Sequence, residues 1–328
     1  MQSAPTPRDT VFREGTAELY RFRSPSGGAP ERGRLPVLLV PSLINRWYVL
    51  DLRPGASLCH ALVEAGHDVF CLDWGVPEDE DRYLDWDRVV ARVGRMVRRV
   101  ERETDQRGVG LLGYCIGGTL TAIHAALEPD SVAALVNLAG PIDFSEGGML
   151  AHMVDPRWFD PDAVAEAGNV RAEQMQSGFV ALRPTAQIGK WLSFFDRLGD
   201  PERLEAFQAL EEWASANIPF PGAAYAKYIR DLYQKNALAK GQHFVGGRRV
   251  DLANIRCPVL TVVTDRDVIC PPPAAQALND LSSACEKGLL VIPGGHVGAV
   301  VGATASRELY PKLAEWFGRV LTAPRTQN

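Results

Sequence analysis

One six-residue stretch, Gly113-Tyr114-Cys115-Ile116-Gly117-Gly118, constrains the fold more than any other part of the chain. The apolar run Val109 to Leu112 leads into it like a strand covered on both faces, and Thr119 to Leu127 leaves it with helical spacing. Cys115 is therefore predicted to sit on a tight strand-to-helix corner. Glycines on either side let the backbone turn sharply, and the new helix points its first N–H groups at whatever binds there. The pattern is a nucleophile elbow with Cys where Ser is usual. A lone Cys more often packs as a small hydrophobe. Here the corner and its flanking elements favour a reactive thiol. A thiolate that exchanges with a thioester forms another thioester, so the acyl group stays activated for a second acceptor; the Cys therefore points to acyl transfer.

The segments around the elbow read as an α/β fold. Thr10 to Phe22 is expected to form two short strands turning at Gly15, and Leu35 to Val40 a central strand. Pro41-Ser42-Leu43-Ile44-Asn45 follows at its carboxyl end, where open α/β sheets place their chemistry. In hydrolases of this plan that loop supplies one backbone N–H to an oxyanion hole. Leu43 or a neighbour is the candidate, with Ile116 supplying the second N–H. Further elements are a helix over Gly55 to Glu64, a strand over His67 to Leu72 and a helix over Asp85 to Arg102. That helix carries Arg88, Arg92, Arg95, Arg98, Arg99 and Arg102, read as a solvated face in preference to a coenzyme A patch. Asp73 is a second carboxylate near the site and is expected to fix its own loop.

After a strand over Val132 to Leu138, the alternation of strand and helix stops. Residues 145–250 read as helical pieces rich in large apolar groups, including Met149, Met153, Trp158, Phe159, Phe179, Trp191, Phe194, Phe195, Trp213, Phe220, Tyr225 and Tyr228. The stretch is expected to form a cap over the carboxyl edge of the sheet, with most of its aromatics in its own core. The core would then comprise residues 1–144 and 251–328. Alternation resumes with a strand over Cys257 to Thr264, which ends in Asp265-Arg266-Asp267-Val268-Ile269-Cys270-Pro271-Pro272. Two acids compete there, and prolines a few residues on favour Asp267. A last strand over Gly288 to Pro293 precedes Gly294-Gly295-His296-Val297-Gly298, and Arg307 to Val320 closes the chain as an amphipathic helix. Nucleophile, acid and base thus follow in the order Cys115, Asp267, His296, as in α/β-hydrolases.

Composition narrows the class without naming it. With 35 basic and 40 acidic residues the net charge is −5, so no general attraction to nucleic acid or anionic membrane is implied. Met1 to Asp9 lacks a secretory pattern, and no stretch is long enough to span a bilayer, so a cytoplasmic enzyme is expected. The cysteines show no metal-ligand spacing, and Cys59, Cys71, Cys257 and Cys285 are expected to pack. His60, His67, His124, His152 and His243 lack a catalytic setting.

Several motifs in register resemble one family. The elbow, Leu43 to Leu52, Asp73-Trp74-Gly75, Gly247 to Leu252, Pro293 to Gly298 and Tyr228 to Asn236 are similar to polyhydroxyalkanoate synthases. The short catalytic subunits of the two-component type are the nearest form. The resemblance runs from Thr6-Pro7 to the final helix. It implies that Cys115 takes an acyl group from a 3-hydroxyacyl-coenzyme A, that His296 deprotonates the thiol and then the incoming hydroxyl, and that Asp267 orients or assists His296. It also implies a growing polyester or granule, a homodimer and a separate activating subunit. Coenzyme A would be part of the substrate, with no resident cofactor or metal. One position departs: the family has His directly after the catalytic Asp, and here Val268 stands there, with Cys270 before the prolines. The departure bears on how much polymerase activity is retained. The alternatives are a thioesterase or depolymerase on the same fold, and a non-catalytic granule-associated protein.

Overall fold

The computed structural model describes residues 3–182 and 200–322. Eight strands form one sheet: β1 (Arg8–Glu14), β2 (Ala17–Phe22), β3 (Val37–Val40), β4 (Val69–Asp73), β5 (Val109–Tyr114), β6 (Val132–Leu138), β7 (Val259–Thr264) and β8 (Lys287–Ile292). They lie in the order β1-β2-β4-β3-β5-β6-β7-β8. The β1–β2 and β2–β4 pairs are antiparallel and the remaining five are parallel. This is the α/β-hydrolase fold expected from the elbow.

Strand periodicity splits the core in two. In β3, Leu38 and Val40 join one cluster and Val37 and Leu39 the other, because successive side chains point to opposite faces. Helices α2 (Trp86–Thr104) and α3 (Ile116–Leu127) cover the first face, and α1 (Leu58–Glu64) covers the second with the C-terminal helix Tyr310–Val320. Doubly covered strands explain the continuous apolar runs of β3, β5 and β7, all fully buried.

Local chemistry adjusts several boundaries. The first helix starts at Leu58, not Gly55, because Gly55 takes φ 77° in a small hairpin between Asp51–Arg53 and Ala56–Ser57; Ser57 Oγ then accepts from His60 N at 2.8 Å as the cap. The arginine face of α2 is only partly solvated. Arg92 and Arg95 both bind Glu14 of β1, Arg99 reaches the Val11 carbonyl, and Arg88, Arg98 and Arg102 are exposed. The half-buried carboxylate of Glu14 is held below its usual range chiefly by the Arg95 hydrogen bond, against burial. Cys59 and Cys71 are buried as expected, Cys257 is half-buried, and Cys285 is exposed because it lies in the turn after a helix and not on a core strand.

Between β6 and β7 lie the helices α4 (Gly148–Met153), α5 (Pro161–Glu166), α6 (Ala172–Leu182), α7 (Pro201–Ser215) and α8 (Gly222–Lys227), followed by a π-helical turn, Tyr228–Gln234. A hairpin of Phe244–Val245 with Arg248–Arg249 ends this stretch, which the helical reading missed. Its turn residues Gly246 and Gly247 both take positive φ, 56° and 74°, as a two-residue hairpin requires. Trp191, Phe194 and Phe195 lie outside the described residues.

Candidate active site

The elbow forms as its glycines demand. Cys115 adopts φ 56° and ψ −126°, a region costing about 1–3 kcal/mol for a residue with a side chain, and it directly precedes α3. Packing enforces it. A Cβ on Gly117 would lie 2.0 Å from the Val40 carbonyl oxygen, and one on Gly113 would lie 2.3 Å from that of Gly117. Cys115 N donates to Leu138 O at 3.0 Å, and Cys115 O accepts from Gly118 N at 2.8 Å. Ile116 is the first residue of α3, so its N–H has no acceptor within the helix.

Asp267 and His296 meet as the spacing predicted. His296 Nδ1 lies 2.7 Å from Asp267 Oδ2, with the carboxylate fully buried and the imidazole 7% exposed. The acid is fixed by three more donors: Thr264 Oγ1 at 3.0 Å on Oδ2, and the N–H groups of Ile269 and Cys270, each at 2.9 Å, on Oδ1. Burial pushes this carboxyl up, but the hydrogen bond and charge of His296 and the two backbone donors outweigh it, leaving it below the usual range. Asp265 instead accepts from Gly294 N at 2.7 Å and shapes the loop that presents His296.

With Nδ1 committed to Asp267, Nε2 is the ring nitrogen left for Cys115. Nε2 is buried and has no hydrogen bond of good geometry, yet the Cys115 side chain acts on the ring strongly. Burial alone would lower the imidazole pKa. The field of the Cys115 sulfur, with the hydrogen bond to Asp267 and its charge, outweighs it and pushes the value up to about 10. Tyr114 stacks on His296 with centroids 5.3 Å apart and an interplanar angle of 27°, and its hydroxyl donates to the His296 carbonyl at 3.3 Å. Neither Tyr114 nor Thr264 was singled out from sequence. Thr264 could have been found as the strand-end hydroxyl three residues before Asp267; for Tyr114 only its place beside the nucleophile hinted at contact.

Leu43 and Ile44 follow β3 and are buried, and Ile44 reaches a cavity beside Cys115. The cavity measures about 350 Å³ and is walled by Cys115, Ile116, Pro141, Ile269 and Cys270 from the sheet side. Leu150, Met153, Phe159, Met175, Phe179, Phe220, Tyr225, Tyr228 and Tyr233 wall it from the helices above. Phe220 and Tyr228 are buried in the core, and Phe159, Phe179, Tyr225 and Tyr233 pack against it, as expected; that the same aromatics also face a cavity is what the sequence reading did not show. The reason is geometric: an insertion over a catalytic corner has to line the space it encloses. Met149 and Trp158 are a correction, being 55% and 52% exposed. Burial pushes the phenols of Tyr228 and Tyr233 up, as does the field of Cys115, so both stay neutral donors. Burial likewise pushes the Cys270 thiol up. Asp73 holds its own loop, accepting from Gly75 N at 2.9 Å and Tyr20 OH at 3.1 Å.

The sequence matches the model of the alpha/beta hydrolase fold over residues 36–303 and that of the poly-beta-hydroxybutyrate polymerase (PhaC) N-terminus over residues 2–62. It is 34% identical over 315 residues to the poly(3-hydroxyalkanoate) polymerase subunit PhaC of Allochromatium vinosum, covering 95% of this chain and 88% of that one. To the subunit of the same name from Haloferax mediterranei it is 33% identical over 316 residues, 95% of this chain but 64% of the other. Among solved structures, epoxide hydrolase A from Mycobacterium thermoresistibile aligns with a TM-score of 0.58 and 17% identity over 97% of this chain and 100% of its own, a likeness of fold.

Proposed function

Because the chain belongs to the poly(3-hydroxyalkanoate) polymerase family, a branch of the α/β-hydrolase fold, we propose that it polymerises 3-hydroxyacyl groups from their coenzyme A thioesters, with Cys115 as the covalent acyl carrier. His296 Nε2 holds the proton that Cys115 gives up, and the sulfur attacks the thioester carbonyl. The oxyanion is held by the N–H groups of Ile116 and Leu43, a term typically worth about 3 kcal/mol per donor. Collapse breaks the carbon–sulfur bond to coenzyme A, whose thiolate takes the proton back from His296. The 3-hydroxyl of the next acyl unit then gives its proton to His296, its oxygen attacks the Cys115 thioester, and the sulfur leaves and is reprotonated. Asp267 holds His296 in the tautomer that both steps need.

The observation that carries this reading is the apolar cavity onto which Cys115 opens, with the His296–Asp267 pair beside it. A thioester housed there is kept from water, and what reaches it is another acyl chain's hydroxyl. The proposed chemistry uses no resident cofactor, because the energy comes from the thioester itself. Short side chains such as 3-hydroxybutyryl suit a cavity of this size. No helix among the described residues is long and apolar enough to cross a membrane. A homodimer, a separate activating subunit and a place at the surface of a cytoplasmic polyester granule complete the proposal.

The test supplies 3-hydroxybutyryl-coenzyme A and follows thiol release and product together. Insoluble polyester, abolished in Cys115→Ala, supports the reading. Free 3-hydroxybutyrate in stoichiometric yield assigns a thioesterase instead, and undiminished thiol release in Cys115→Ala overturns the covalent route.

A further inference from the structure

The loop that follows β3 takes its shape from the helices above the sheet, not from the sheet alone. Three consecutive residues are each held from that side. Ile44 O accepts from Ile218 N at 3.1 Å, Asn45 Nδ2 donates to Asn217 Oδ1, and Arg46 O accepts from Trp213 Nε1 at 2.9 Å. Asn217 has a second bond: its Nδ2 donates to Gln176 Oε1 at 2.9 Å. Gln176 belongs to α6, whose Met175 and Phe179 wall the acyl cavity. Three residues past Asn217, Phe220 exchanges both backbone hydrogen bonds with Val170 at 2.9 Å each, and both side chains face the same cavity.

These contacts form one continuous path from the cavity wall to the oxyanion loop, and Asn217 stands at its centre with a bond in each direction. We propose that Asn217 is a positioning residue that sets the Leu43 N–H, so that the oxyanion hole is complete only when the helices over the cavity are seated. The proposal rests on the reading of Leu43 as an oxyanion donor. Its physical reason is that a backbone donor acts only when fixed near 3 Å from the developing charge, and a short loop after a strand end has little of its own to fix it. The arrangement also ties reactivity to protection. Were these helices displaced, the loop would lose its three bonds, so the acyl-enzyme would be least activated when most exposed to hydrolysis.

The experiment compares two reactions of the same sulfur in the full chain. Thioester acylation, read as single-turnover coenzyme A release from 3-hydroxybutyryl-coenzyme A, develops an oxyanion. Alkylation of Cys115 by iodoacetamide develops none. Asn217→Ala is expected to slow acylation 10- to 100-fold at saturating thioester while alkylation stays within about twofold of the parent. Asn217→Asp keeps the acceptor for Asn45 and gives up the donor to Gln176, so its acylation rate is expected between the two. Acylation within twofold of the parent in Asn217→Ala overturns the proposal. So does a parallel loss of alkylation, which would mean that Asn217 only supports the fold, and so does a change confined to KM. Leu43→Pro separates the two layers, since it removes the N–H itself. If it loses acylation but not alkylation while Asn217→Ala is normal, the positioning role fails and the oxyanion reading stands. If Leu43→Pro acylates normally, the oxyanion reading fails and takes this proposal with it.

Discussion

Replacing Asp267 by Asn changes one atom type and little shape, so it isolates what the buried carboxylate does. The residue accepts four hydrogen bonds, two on each oxygen. An amide can keep its oxygen under the Ile269 and Cys270 N–H groups, whose geometry admits only an acceptor. Its NH₂ then faces His296 Nδ1 and Thr264 Oγ1. The hydroxyl can turn and accept, but the imidazole must place its lone pair at Nδ1 and its proton at Nε2. A neutral ring held in that tautomer has no lone pair at Nε2 to hold the proton that Cys115 gives up. In serine proteases the same exchange lowers kcat by about 10⁴, and a loss of roughly 10³–10⁴ is expected here, equivalent to about 4–5 kcal/mol of transition-state stabilisation. Because the buried negative charge also disappears, the imidazole should lose part of what holds its pKa high. Coenzyme A release from 3-hydroxybutyryl-coenzyme A measures the first effect, and the pH dependence of Cys115 alkylation the second. Activity above a tenth of the parent, in a variant that melts normally, would refute the assignment of Asp267 as the group that sets the His296 tautomer.

Other expectations follow from the same contacts. In Gly117→Ala the new methyl would fall 2.0 Å from the Val40 carbonyl, so the elbow or β3 must shift; a loss of about 2 kcal/mol or more, seen as a melting point lower by several degrees, is expected. Tyr114→Phe keeps the ring stacked on His296 and removes only the 3.3 Å bond to its carbonyl, so a cost near 1 kcal/mol in urea unfolding and less than a tenfold fall in kcat are expected, whereas Tyr114→Ala should be far more damaging. The folded chain holds the His296 proton more tightly than the unfolded one, which titrates near 6.5. Its contribution is therefore complete below that value and is lost as pH rises through the folded pKa near 10, at up to about 1.4 kcal/mol per pH unit. Cys115→Ala removes the leading upward influence, so its stability should decline less between pH 7 and 10; parallel urea melts across that window, with equal slopes for both proteins, would contradict this.

Much of the candidate site was legible in the chain because it is written in local chemistry. Glycines that cannot be replaced without collision mark the corner at Cys115, unbroken apolar runs mark strands covered on both faces, and acid and base follow their strands by a few residues. Such signals survive in sequence because each constrains the residues immediately around it. Where local reading failed, the deciding partner lay far away in the chain. That the core residues Phe220 and Tyr228 also face a cavity depends on what stands opposite, and the arginines of α2 divide into paired and exposed according to where Glu14 of β1 falls. Tyr114 stacks on a histidine 182 positions later, and Asn45 is held by a residue 172 positions away. By itself the sequence determined the order of elements, the strained corner and which residue types could react, since these follow from backbone sterics and hydrophobic periodicity. Only the tertiary structure decided which groups meet across the cavity and how the loop after β3 is held, because those contacts join segments that no spacing along the chain relates.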